Sequence, residues 1–184
     1  MYIGHVGAAL AAKRARNSVG LLVLLLATYT PDWVDTGLCV MGRYNDQQML
    51  SHSIPAVLIF ALIALALYSA LTRDVKGGLI VGAVIISHMV LDWITGYKPT
   101  WPGGPMIGLV LYDHPLADFA VEAAVIAVGA ALYASTLPAR IGDSTEDRTP
   151  AIFWRNGTLM FGALIALQLA VDLGHLVMRN LSKC

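Results

Sequence analysis

Long apolar runs alternate with short polar breaks along this chain, and the run lengths suit helices better than strands. Residues 54–72 (IPAVLIFALIALALYSALT), 77–91 (GGLIVGAVIISHMVL) and 123–139 (AAVIAVGAALYASTLPA) contain no Asp, Glu, Lys or Arg. Breaks fall at the basic cluster Lys13, Arg14 and Arg16, at Thr30-Pro31, at Arg73 to Lys76, in a Gly/Pro-rich stretch from Thr95 to His114 (with GYKPTWPGGP), and in a polar stretch from Pro138 to Pro150. The pattern predicts six helices, over about 2–13, 18–30, 50–72, 77–95, 115–137 and 153–179. About 20 apolar residues cross a bilayer. The last four helices come close to that length, whereas the first two, of about 12 and 13 residues, are short for full spans and read as a tilted or partly inserted hairpin. The expected fold is an all-α integral membrane bundle of about six helices. It forms one domain over residues 1–184, with the ligand-bearing part in about 1–122, a polar loop at 138–152 and a final helix at 153–179.

Composition agrees. The chain is 57% hydrophobic and 13% charged, against about a quarter charged in soluble domains. Its net charge of +0 and lack of a basic tail leave no case for a nucleic-acid partner. At the start, MYIGHVGAALAAKRARNS, the basic cluster follows the apolar stretch, the reverse of a secretory signal, so this segment reads as retained. Cys39 and Cys184 show no metal or redox spacing and read as unpaired.

Charge sets the orientation. Following the helices back and forth, one end of the bundle collects eight basic residues: Lys13, Arg14, Arg16, Arg73, Lys76, Arg140, Arg148 and Arg155. The other collects four, Arg43, Lys98, Arg179 and Lys183. The excess of Lys and Arg places the first end in the cytoplasm and the second outside an inner, cytoplasmic-type membrane.

All five histidines, His5, His52, His88, His114 and His175, fall at the second end, as do Asp32, Asp35, Asp92, Asp113, Asp118 and Asp172. Ionisable residues at membrane depth are functional candidates because an idle charge there is costly. Residues four apart share a helix face, which pairs His88 with Asp92 and His114 with Asp118, Glu122 lying one turn further on. Imidazole and carboxylate together suit a divalent metal such as zinc. The alternative for each pair is a structural hydrogen bond closing a helix end, and two such pairs opening toward one end favour metal. Asp32 and Asp35 in TYTPDWVD also suit turn chemistry. His52 in LSHS also suits a helix start with Ser51 or Ser53 as cap, and His5 in GHVG also suits a terminal surface position. Asp172 with His175 is a weaker pair of the same kind.

The ordered set GH, PDxxD, HS at a helix start and SHxxxDWIT before a Gly/Pro loop resembles the YdjM-like family of inner-membrane-associated metal-dependent hydrolases, also labelled LexA-binding, over about residues 4–122. Where that family often has HRGxTHS, this chain reads QQMLSHS, so His52 and Ser53 alone carry over. The order is also similar to the all-helical zinc-dependent phospholipase C and nuclease fold. That resemblance implies metal ligation by His5, Asp32 or Asp35, His52, His88, Asp92, His114 and Asp118.

Seven candidates exceed the roughly three protein ligands of one catalytic zinc, so two or three ions are expected. Whichever of Asp32 and Asp35 is not a ligand is then left to act as a general base or to orient one. The expected activity is metal-dependent hydrolysis of a phosphoester or other ester of a lipid or small lipid-like substrate at the membrane surface. Two other classes compete. A small transporter or ion channel with a His/Asp cation path requires polar residues along the whole span. A haem protein ligated by His52 and His88 has no use for a carboxylate four residues on.

Overall fold

The computed structural model describes residues 3–43, 49–136 and 150–178, with side chains left aside at 150–156 and 172–178. The observed fold is all-α apart from one small hairpin. In chain order it comprises α1 (Gly4–Ala15), α2 (Leu21–Thr28), α3 (Thr30–Val40), a 3-10 turn (Leu50–His52), α4 (Ile54–Thr72) and α5 (Val75–Thr95). Then follow β1 (Lys98–Pro99), β2 (Met106–Ile107), a second 3-10 turn (Leu111–Asp113), α6 (Pro115–Ala134) and α7 (Pro150–Met178). Among the described residues three helices, α4, α5 and α6, are long and apolar enough to cross a bilayer.

Among the described residues seven α-helices stand where six are expected, and the addition is α3. The sequence pattern predicts a stop at Thr30-Pro31, yet Pro31 lies in the first turn of a new helix. A proline lacking its N–H costs nothing in the first turn, where that N–H has no partner, and Asp32 in the same turn complements the positive end of the helix dipole. The chain breaks only at Tyr29 and carries on as helix to Val40. This converts Asp32 and Asp35 from loop residues into neighbours on one helical face. The polar loop around 138–150 lies almost wholly outside the described residues, as do the side chains of Asp172 and His175. Cys39 in α3 is disulfide-bonded, against the unpaired reading; Cys184 lies outside the described residues.

The central helix is α5. It packs against α1, α2, α3 and α4, and half of its membrane-length window is buried, against 11% for α4. Glycines let its neighbours approach closely: a Cβ on Gly78 would stand 2.8 Å from the Leu65 carbonyl oxygen, and one on Gly82 3.1 Å from that of Ala61. On the other flank α1 lies directly on α6, where a Cβ on Gly7 would come within 2.6 Å of the Val125 carbonyl and one on Gly129 would strike the Gly7 backbone. The short helix α1 is thereby wedged between α5 and α6. Leu62 (64% exposed) and Leu71 (83% exposed) on α4 face outward. That surface would be an aggregation hazard in water and matches hydrocarbon in a bilayer.

The apolar core includes Ala9, Val19, Leu24, Val57, Val81, Val84, Ile85 and Met89, from α1, α2, α4 and α5 and the α1–α2 turn. At the basic end Arg16 donates from Nε and Nη2 to Asp74 (3.2 and 3.1 Å), while Asp74 accepts from the Gly77 N–H (3.0 Å) and so caps α5. The α1–α2 turn is thus tied to the α4–α5 turn. At the opposite end the helix termini, the 3-10 turn and the β-hairpin converge on the polar residues.

Candidate metal centre

Each element contributes its residue for a local reason. The first turn of α1 carries His5, fully buried because the small Gly4 and Gly7 let α1 sink between its neighbours. The first turns of α3 carry Asp32 and Asp35. The 3-10 turn before Pro55 presents His52, 2% exposed, at the mouth of α4. The end of α5 carries His88 and Asp92 four residues apart, 0% and 3% exposed.

These side chains meet. Asp92 Oδ1 lies 3.1 Å from His5 Nε2, and its Oδ2 lies 3.4 Å from His52 Nε2 and 3.5 Å from His88 Nε2. His88 Nε2 is 3.2 Å from His52 Nε2 and 3.7 Å from Asp32 Oδ1, and His52 Nε2 is 3.2 Å from Asp32 Oδ1. The His5 and His88 rings stack at 3.9 Å between centroids. Two sets of three potential ligand atoms, from His5, His88 and Asp92 and from Asp32, His52 and His88, each lie within 4.8 Å of one another. His88 belongs to both.

Asp35 stands behind His52. Its Oδ2 is 3.0 Å from His52 Nδ1, and its Oδ1 accepts a short hydrogen bond from Ser51 Oγ, which is itself 2.9 Å from Nδ1. A carboxylate on Nδ1 holds the proton there and turns the Nε2 lone pair toward the centre, the usual support for a metal-binding histidine. Without a cation, that lone pair would face the Asp32 and Asp92 oxygens, acceptor against acceptor. The protein without metal therefore requires a second proton on the ring. Burial opposes a charged His52, but its hydrogen bonds to Asp32 and Asp35 outweigh burial and hold the imidazole above its ordinary pKa. Burial likewise works against ionised Asp32, and the bond to His52 with the neighbouring charges holds it below the usual carboxylate range. Tyr29, edge-on to His5, is pushed well up by burial and by the Asp32 and Glu122 carboxylates, so it stays protonated.

His88 Nδ1 and His5 Nδ1 are buried with no hydrogen-bond partner among the described residues, so these two rings lack the support that Asp35 gives His52. One further observation fits a cation. The donor set, imidazole nitrogen plus carboxylate oxygen, is that of zinc and similar divalent ions.

Not every sequence candidate joins the cluster. His114 is exposed at the start of α6 and stands in neither three-atom group, and neither does the buried Asp118. Glu122, a turn deeper, is fully buried and accepts from the Gly4 N–H (2.9 Å), next to His5. In the sequence Lys98 stands out only as a basic residue of this end, yet its Nζ lies 3.2 Å from Asp92 Oδ2. Ser51 stands out there only as a cap. Nothing in their spacing marked either residue, because both arrive on irregular segments. At the other extreme, the buried neighbours of α5 below the cluster, such as Ile85, Val84 and Val81, are aliphatic.

The fold and the cluster together define an integral membrane helical bundle with a buried, one-ended His/Asp group able to hold a metal ion. The chain belongs to the YdjM inner membrane protein family, whose model matches residues 1–171. No curated protein and no solved structure matches the chain, so the likeness to the phospholipase C and nuclease fold rests on residue order alone.

Proposed function

We propose that this protein is a membrane-embedded, metal-dependent hydrolase that cleaves a phosphoester of a lipid or lipid-like substrate at the extracytoplasmic face. The observation that carries it is the convergence of Asp32, His52 and Asp92 on His88 Nε2, whose one lone pair would serve one ion while the carboxylates reach a second. His5, Asp32, His52, His88 and Asp92 would hold two divalent ions, zinc being the favoured species. When bound, such ions supply Lewis acidity and neutralise charge on a phosphoryl group.

The chain's own residues supply the rest. Asp35 and Ser51 orient His52. Asp32, its side chain 43% exposed, is the ligand carboxylate at the water-facing edge, where an attacking water would arrive. Tyr29 keeps its proton and closes the site beside His5. Access from the lipid is supported by the exposed rings of Trp33, Tyr97 and Trp101 at this end, the aromatic residues that favour the headgroup region. The extracytoplasmic orientation is supported by the charge count and by the disulfide at Cys39, which suits an oxidising compartment. A cation path across the membrane has less support, since the core below the site is aliphatic.

The test is elemental analysis of the detergent-purified protein, paired with phosphoester hydrolysis. About two zinc or similar ions per chain are expected, with loss of most of the metal and of the activity in His88→Ala. A wild-type protein that holds no metal ion would end this reading.

A further inference from the structure

Lys98 brings a positive charge to the edge of the cluster. It sits on β1, whose hairpin is fixed on both sides. The Ile54 N–H donates to the Thr100 carbonyl (3.0 Å), the Leu109 N–H to that of Trp93 (2.8 Å) and the Val110 N–H to that of Gly96 (3.3 Å). Its backbone is therefore held between the start of α4 and the end of α5, and its four-carbon stem carries the ammonium to Asp92. The Lys98 side chain is 18% exposed and that of Asp92 4%. The ammonium thus stands on the boundary between the buried cluster and the outside.

The oxygen it touches is also the one the metal reading needs. Asp92 Oδ2 faces Lys98 Nζ, His52 Nε2 and His88 Nε2. A divalent ion sharing that oxygen would repel an ammonium, so Lys98 must turn outward as the site fills. Its compact, flexible cation suits that movement better than a planar guanidinium would.

We infer that Lys98 is the phosphate-binding residue of this site. The inference rests on the metal-hydrolase reading above. Charge complementarity supports it: two divalent ions and Lys98 would outweigh the carboxylates of Asp32, Asp35, Asp92 and Glu122, leaving a net positive site that an anionic phosphate complements and a neutral carboxylic ester does not.

Titration calorimetry on the detergent-purified protein tests the assignment, with zinc added to the metal-free form and inorganic phosphate to the zinc-loaded form. Lys98→Met removes a competing cation, so it should bind zinc as tightly as wild type or more tightly, yet bind phosphate about tenfold more weakly or worse, as expected on losing a charge-assisted hydrogen bond. Lys98→Arg should recover most of the phosphate affinity. A parallel titration with phosphatidate in mixed micelles separates the sources: a lipid headgroup site binds it more tightly than inorganic phosphate, and a free-phosphate site binds it no better, with Lys98 required in both. Should Lys98→Met fail to fold, Lys98→Gln serves in its place. Unchanged phosphate affinity in a zinc-loaded variant would make Lys98 a mere counter-ion of Asp92. It would overturn this inference while leaving the metal reading intact, as would a zinc-loaded wild type that binds no phosphate. A wild type that takes up no zinc would sink both.

Discussion

His5 Nε2 and Asp92 Oδ1 lie 3.1 Å apart across 87 positions of sequence, joining the first turn of α1 to the last turn of α5. The contact is buried on both sides, and Asp92 is the carboxylate on which the cluster converges. Asp92→Asn separates a structural role from a ligand role. The amide keeps the size and the hydrogen-bonding capacity but loses the charge that holds a divalent cation. We expect near-wild-type helicity by circular dichroism with metal content reduced to a small fraction. Asp92→Ala strands His5 and Lys98 and should cost about 3–5 kcal/mol of stability besides. Thermal unfolding with and without chelator provides the check. A wild type indifferent to chelator, with an Asn variant that unfolds readily, would make the pair purely structural.

The two acidic residues of α6 differ from His114 at its start. His114 is exposed and outside both ligand groups, so His114→Ala should leave metal content unchanged. Glu122 fixes the Gly4 N–H beside His5. Glu122→Gln keeps an acceptor oxygen and should retain the metal, whereas Glu122→Leu leaves the Gly4 N–H buried and unpaired, at about 1–3 kcal/mol, and should weaken metal binding by loosening α1. Elemental analysis of the three variants reads this directly. Metal loss in His114→Ala equal to that in Asp92→Asn would bring α6 into the site.

Much of this was legible in the sequence. The apolar runs gave the three long helices of membrane length within a few residues, because a bilayer enforces run length more strictly than a soluble core does. The four-residue spacing placed His88 beside Asp92 on α5. What could not be read was the conversion of residues 30–40 into helix, since Pro-Asp serves turns and helix starts equally well. Nor could sequence separate Asp32 from Asp35. Tertiary placement distinguishes them only by the imidazole nitrogen each faces, Asp32 on Nε2 and Asp35 on Nδ1 of His52. Lys98 was hidden for the same reason, because a hairpin with no periodicity brings it to Asp92.

At the basic end, Asp74 predicts a pH response distinct from that of the cluster. The Gly77 N–H first, and then the Arg16 guanidinium, hold its carboxyl below the ordinary value of 3.8. A depressed carboxylate contributes stability that is present above its unfolded pKa and lost as pH falls through the folded one. Asp74→Ala should therefore unfold at lower temperature than wild type at neutral pH, with Asp74→Asn between them because the amide still caps α5. The gap should stay constant down to about pH 4 and close below that. Melting curves in detergent across this range decide it, and a gap already closing near pH 6 would assign the effect to another group.

Orientation completes the set. If the end bearing His5, His52, His88 and Asp92 faces outward, Pro102, exposed in the β1–β2 hairpin, must be reachable from outside, whereas Thr145 in the polar stretch must not. In a background with Cys39 and Cys184 replaced by serine, a membrane-impermeant maleimide should label Pro102→Cys in right-side-out vesicles and should label Thr145→Cys only after permeabilisation. The physical driver is the eight-to-four distribution of Lys and Arg between the two ends, which resists translocation of the richer end. Moving that balance should move the protein. Replacing Lys13, Arg14 and Arg16 with neutral residues removes three of the eight charges and leaves five against four, so mixed labelling of both positions is expected. Labelling of Thr145→Cys alone from outside in the otherwise unchanged protein would invert the topology, and with it the compartment from which the substrate must come.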